Sequence, residues 1–316
     1  MASADLRVVS LIPGATEIVA ALGLTNYLVG RSHECDYPPE VMSVPACTQA
    51  KLDPSASSGQ IHDEVTGILQ STLSIYQIDI AQLEALKPTH ILTQAQCEVC
   101  AVSLADVEKA VAKLTQSNPQ VISLQPNTLA DLWNDIERVS EALGVEARVA
   151  VAGLQARVAQ CKQQTQSLLD QPTVACIEWT EPLMVASNWI PELVNLAGGR
   201  DLLGVSGEHS PRLEWQALRA ADPAVIIFMP CGFDLKRTRQ EALKLTHHPE
   251  WRTLQAARTG KIYVTDGNQY FNRPGPRLVD SLEILAEILH PQIFHFGYAG
   301  TGWEPLQSEA RKATAF

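Results

Sequence analysis

Short apolar and β-branched runs recur along this 316-residue chain, each bounded by turn residues and followed by a stretch of helical periodicity. That alternation points to parallel βαβ units, because strands joined by helices lie side by side and leave the helices to cover the sheet. Residues 6–11 (LRVVSL) read as a strand, Pro13-Gly14 stops it, and residues 16–22 continue as a helix. Further strands are expected at 27–30, 89–93 and 121–124, with a helix closing over residues 83–86 before Lys87-Pro88. Ligands of such sheets gather outside the carboxyl ends of the strands, which singles out the loops after Gly30 and Thr93.

Residues 145–170 contain no proline and one glycine, Gly153, while Val151, Leu154, Val158, Cys161 and Leu168 recur at roughly helical spacing. The stretch predicts one helix of about 39 Å, long enough to tie two lobes together. The chain is also too long for one typical domain. After this helix the strand pattern restarts at 173–178, 224–228 and 261–264, with helices at 190–197, ended by Gly198-Gly199, and at 278–289. The expected organisation is an N-terminal α/β lobe over 1–128, a helical linker over 129–170, and a C-terminal α/β lobe with its tail over 171–316. The tail after Gly300, containing Trp303, reads as exposed.

A hydrophobic share of 46% against 19% charged residues fits a globular protein rather than a disordered one. The formal net charge of −11 argues against nucleic acid and anionic membrane surfaces as partners. The opening MASADLRVVSLIPGATEIVAALG has neither the flanks of a signal peptide nor the unbroken apolar length of a membrane span. Seven cysteines, an odd number, do not suit a secreted disulfide framework. The literal expectation is a cytoplasmic monomer, or a periplasmic one if a leader has been removed.

Two groups of residues carry candidate chemistry. The loop after the strand at 27–30 holds His33, Cys35, Asp36 and Tyr37, and the loop after 89–93 holds Gln94, Gln96, Cys97 and Cys100. Both loops leave the same edge of one parallel sheet, so His33, Cys35, Cys97 and Cys100 could converge on zinc or another thiophilic ion. The same residues permit three other readings: a redox dithiol at Cys97 and Cys100, axial coordination of a chelated metal by His33 or Cys35, and cysteines that merely pack. In the second lobe Trp179 and the run Tyr270, Phe271, Asn272 and Arg273 combine rings with polar groups, which is what a large flat ligand requires. Trp189 reads instead as a core residue at a helix start, and Phe271 as part of the ligand surface.

Five phrases, SLIPGATEIVAALGL at Ser10, VGRSHECDYP at Val29, LEALKPTHILTQ at Leu83, SNWIPELVNLAGG at Ser187 and DGNQYFNRPGPRLVDSLEILAEILHP at Asp266, together resemble the cobalamin-binding subfamily of the helical-backbone metal receptors. These are substrate-binding proteins of ABC importers, and the likeness runs over about residues 6–291. The resemblance implies an α/β fold of two lobes with mostly parallel central sheets joined by one long helix. It also implies a cobalamin or other corrinoid ligand in the cleft between the lobes, little hinge motion, and surface carboxylates that dock on an ABC permease. The leading reading is thus a non-catalytic receptor for a tetrapyrrole-like molecule. The alternatives are a cytoplasmic carrier or sensor of a soft metal or haem-type chelate, and a thiol-dependent enzyme. No G-x-S-x-G elbow, Walker loop or H-E-x-x-H helix supports a hydrolase or nucleotidase.

Overall fold

The computed structural model describes residues 5–70, 75–95 and 103–306. The chain divides into two compact units, the first running to Leu154 and including Pro274–Pro276, the second holding Gln155–Arg273 and the chain from Arg277 onward.

The first unit contains β1 (Val8–Ser10), α1 (Pro13–Ala21), β2 (Leu28–Arg31), β3 (Thr48–Ala50), α2 (Ser58–Gln70), β4 (Tyr76–Ile78), α3 (Ile80–Leu86), β5 (His90–Gln94), α4 (Leu104–Val111), β6 (Gln120–Leu124) and α5 (Leu129–Ala142). Its main sheet has the order β2-β1-β5-β6 with every pairing parallel, and β3 and β4 form a separate antiparallel ribbon. Val9, Leu11, Cys47, Leu83, Ile91 and Val107 pack into one buried cluster beneath the helices. Local chemistry starts the helices where the strands end: the Asp79 carboxylate accepts from the Gln82 amide at α3, and Thr128 with Asp131 forms a reciprocal capping box at α5.

α6 (Arg148–Thr165) crosses from the first unit into the second, since the division falls between Leu154 and Gln155. Its 18 residues make it about 27 Å long, shorter than the expected 39 Å. Gly144, at φ 70°, closes the end of α5, and the Val145 amide is still bonded to Ser140 there. At the other end the Thr165 hydroxyl turns back to Lys162 O and across to Leu196 O, and the chain leaves the helix axis.

The second unit contains β7 (Thr173–Thr180), β8 (Leu183–Val185), α7 (Ile190–Leu196), β9 (Arg200–Asp201), α8 (Trp215–Ala221), β10 (Val225–Phe228), α9 (Leu235–Leu245), α10 (Gln255–Thr259), β11 (Ile262–Thr265), α11 (Leu278–Leu289) and β12 (Trp303–Pro305). The strands β7, β10 and β11 are mutually parallel, with β9 parallel beside β7. The antiparallel strands β8 and β12 make the sheet mixed rather than a copy of the first. β10, Val-Ile-Ile-Phe, is buried at every residue, as a central strand covered on both faces must be.

Residues 301–306 are no exposed tail: β12 adds to β11, and the Trp303 indole donates to Glu287 Oε2 at 2.9 Å. That anchor is one of several on α11, a helix buried on almost every side. Arg157 of α6 donates to Asp280 at 2.5 Å and to both oxygens of Glu283 at 2.6 and 2.8 Å, and the amides of Gly297 and Tyr298 bond Glu287.

Gly14, in the first turn of α1, meets the segment Pro274–Pro276 of its own unit. A β-carbon there would lie 2.3 Å from the Pro274 carbonyl oxygen, and one on Gly275 would lie 3.0 Å from the Gly14 Cα. Gly14→Ala is therefore expected to destabilise the protein by about 1–3 kcal/mol, the usual cost of overpacking a closed contact. An unchanged urea midpoint in that variant would show that the contact yields without strain.

Candidate functional site

At the carboxyl edge of the first unit's sheet, the Ser32 amide donates to Ser10 O at 2.7 Å, which fixes the loop after β2 against β1. Arg31 holds the same loop through bonds to the carbonyls of Ser32, His33 and Val44. His33 stands just beyond, half-buried, with its backbone amide and Nδ1 at 3.1 and 2.8 Å from Thr48 Oγ1. Its ring lies 5.5 Å from that of Tyr76, whose hydroxyl donates to Glu34. Burial and then the charge of Arg31 lower the basicity of His33, so the imidazole is neutral near pH 7.

Cys35 is fully buried, and its sulfur accepts from the Thr16 hydroxyl at 2.9 Å. This removes it from the expected four-donor metal cluster and from the ligand surface: the thiol points beneath α1 rather than out of the sheet edge. Gln96, Cys97 and Cys100 lie outside the described residues. Among the described residues no group of three or more His, Cys, Asp or Glu side chains could hold a metal ion. Of the other expected residues of this edge, Gln94 ends β5 and is buried, Asp36 is half-buried, and Tyr37 is 43% exposed beside a cis bond to Pro38.

The corresponding edge of the second unit is built from the loops after β7, β10 and β11. Trp179 donates its indole N–H to Glu181 O at 2.9 Å and lies 5.1 Å from the ring of Phe233, over which the Arg237 guanidinium sits at 3.7 Å. Sequence reading missed Phe233 and Arg237. The signal was there in the rule that drew attention to the other loops, since both follow the carboxyl end of β10 closely. Asn272 donates to Met229 O and Gly267 O, so its side chain binds the β10 and β11 loops to each other. Tyr270 is half-buried, edge-on to Tyr298 at 5.8 Å with Arg277 over its ring, and Arg273, 7% exposed, donates to Asn268 Oδ1.

Phe271 departs from expectation. It is 1% exposed, its amide donates to Ser281 Oγ, and its carbonyl accepts the Trp189 indole N–H at 2.7 Å. With φ at 66° the backbone turns left-handed here and sends the ring inward, so Phe271 supports the loop from below. Trp189 is buried, as its place at a helix start suggested.

Glu178, near the end of β7, accepts from the Ser210 hydroxyl at 2.6 Å, and burial pushes its carboxyl up to about 6. The Ser210 hydroxyl hydrogen is thus committed to this carboxylate. Buried Cys47 and Cys161 are both pushed up to about 11, mainly by burial, so neither is a reactive thiolate near neutral pH. A hollow of about 430 Å³ lined by Lys162, Gln166, Glu192 and Asn195 shares no residue with either strand edge.

Residues 8–269 match the family model described as periplasmic binding protein. The chain belongs to that family. It is 24% identical to the vitamin B12-binding protein of Photorhabdus laumondii, over 91% of this chain and 89% of that one. The fold is similar to the periplasmic vitamin B12 binding protein of Vibrio cholerae (TM-score 0.62, 20% identity, covering 90% of this chain and 96% of that chain). It is also similar to a periplasmic heme binding protein of Pseudomonas aeruginosa (TM-score 0.66, 20% identity, covering 91% of this chain and 94% of that chain). The family overturns the expectation of a cytoplasmic protein: it is described as periplasmic binding protein, and both of these solved relatives are periplasmic. No helix among the described residues is long and apolar enough to cross a membrane.

Two outcomes follow from this geometry. Phe271→Ala should cost about 3–5 kcal/mol of stability, the range for emptying a buried aromatic site, and urea unfolding would register it. Lost ligand affinity at unchanged stability would return Phe271 to the binding surface. For Glu178 the folded-state value lies above the ordinary 4.5, so as pH rises the unfolded chain releases this proton first. Its contribution to stability is present below about pH 4.5 and is lost by about pH 6, a decline of at most about 2 kcal/mol. Glu178→Gln should remove that decline, seen as the difference between the pH–stability curves of the two proteins, and parallel curves would contradict it.

Proposed function

We propose that this chain binds cobalamin or a related corrinoid and acts as the binding component of an ABC-type importer, catalysing no reaction. The observation that carries this reading is the match to a vitamin B12-binding protein over about nine-tenths of both chains. The chemistry of the strand ends supports it. A corrinoid offers a broad apolar face and a rim of amides, and the two edges offer aromatic side chains at Tyr37, Trp179 and Tyr270 with polar groups at Asp36, Gln94 and Arg273. We assign ligand contact to these residues and to His33. The Arg237 guanidinium, stacked on the buried Phe233 ring, adds a cation at this edge.

A second reading, a haem-type chelate, is favoured by the likeness to the Pseudomonas aeruginosa heme binding protein. Calorimetric and visible-absorption titrations with cyanocobalamin, cobinamide and haemin separate the two. Saturable binding of a corrinoid at one per chain, tighter than haemin, is the expected result. Preference for haemin would establish the second reading, and binding of none of the three would remove both.

A further inference from the structure

We propose that Nε2 of His33 is the axial donor to the cobalt of the bound corrinoid, so that an exchangeable axial position on the ligand raises its affinity for this protein. The proposal rests on the corrinoid reading above and deepens it. Two soft donors were candidates for this role in the loop after β2, and the geometry separates them. The Cys35 thiol is shut beneath α1 against Thr16 and Ser10. The His33 ring stays at the carboxyl edge of the sheet, half-buried, two residues beyond the end of β2.

Thr48 Oγ1 accepts the His33 amide at 3.1 Å and lies 2.8 Å from His33 Nδ1 and 3.1 Å from Ser32 Oγ. These positions accommodate the tautomer with the proton on Nδ1, in which the ring donates to Thr48 and Thr48 passes its own hydrogen to Ser32. Coordination selects that tautomer: its lone pair resides on Nε2, which has no hydrogen-bond partner among the described residues. This is the arrangement of a metal-ligating histidine: one ring nitrogen donates to a fixed oxygen, and the other is presented to the metal. Ser32, which holds Thr48, is itself tied to Ser10 of β1, and the ring is flanked by Tyr76. The donor is thus oriented before the ligand arrives, and little side-chain freedom is lost on coordination.

The step balances as a ligand exchange. The Nε2 lone pair forms the Co–N bond as one axial water leaves with its own pair, the cobalt keeps its oxidation state, and no proton moves from Nδ1. Imidazole is a suitable donor for such an ion. A ligand whose two axial positions are both held by cyanide gains no coordinate bond from His33.

The test compares diaquocobinamide with dicyanocobinamide on the full chain, the His33→Ala and His33→Gln variants, and Thr48→Val. The wild-type protein should shift the visible bands of diaquocobinamide on binding. Both His33 variants should bind it on the order of tenfold or more weakly and leave its free-ligand spectrum, and free imidazole added to His33→Ala should restore the shift. Thr48→Val, which removes the acceptor for Nδ1–H, should weaken binding of the same ligand about tenfold. Affinity for dicyanocobinamide should fall in the His33 variants by far less than affinity for diaquocobinamide, and urea midpoints like that of the wild type show that the variants fold. An identical band shift and affinity in the His33 variants overturns the proposal while leaving the corrinoid reading intact. A wild-type protein that binds neither cobinamide overturns the corrinoid reading itself, and the proposal with it.

Discussion

Three carboxylates on a helix that is otherwise buried almost all round set the terms for much of the second unit. Asp280, Glu283 and Glu287 lie along α11, the last two only 6% and 4% exposed. Charges so placed are tolerable only when paired and hydrogen-bonded. Their partners come from distant parts of the sequence: Arg157 on α6, and the segment containing Gly297, Tyr298 and Trp303. The Tyr298 hydroxyl donates to Glu283, and burial with the neighbouring carboxylates holds it in its neutral form. The end of α6, the turn around Gly297 and the outer strand β12 are therefore all placed by one need. Uncompensated negative charge inside the protein would otherwise drive α11 out of the core.

The two strand edges use a different device. Their side chains are held by bonds to neighbouring loops: Arg31 gathers the carbonyls of the β2 loop, and Asn272 joins the β10 and β11 loops. Hydrogen bonds spent in this way leave rings and ring nitrogens at the edge in fixed orientations. Binding a flat, rigid ligand profits from this, because few groups need ordering when it arrives. The thiols, in contrast, have mostly been withdrawn: of the five free cysteines among the described residues, four are buried.

The strands were legible because their apolar runs are short, β-branched and bounded by Gly, Pro or polar residues. Leu-Val-Gly-Arg and Val-Ile-Ile-Phe fall where their patterns indicated. The limits of α6 were not legible, since helical periodicity continues through residues that are diverted by a glycine turn at one end and by the Thr165 hydroxyl at the other. Trp303 looked like part of a loose tail because its strand depends on an antiparallel partner and a buried carboxylate, both contributed by remote sequence. At the site, periodicity marked which loops matter but not which way a side chain points. Cys35 and Phe271 lie in the right loops and face inward, for reasons that reside in Thr16 and in a left-handed φ. Phe233 and Arg237 lie behind β10, a strand whose loop drew no attention because it carries no histidine and only one cysteine.

The close approach of Gly14 to Pro274–Pro276 bears on the order in which the chain can fold. The first unit takes almost all its residues from the first half of the sequence, yet the backbone that covers Gly14 emerges some 260 residues later. During synthesis from the amino end, sheet, helices and capping boxes of that unit can assemble while this one face of α1 remains uncovered. Closing it joins chain segments of very high sequence separation, a late and slow kind of contact in folding. A nascent first unit thus waits on the translation of nearly all of the second, and a chaperone that shields the amino-terminal end of α1 would be occupied for most of the time the ribosome takes to complete the protein.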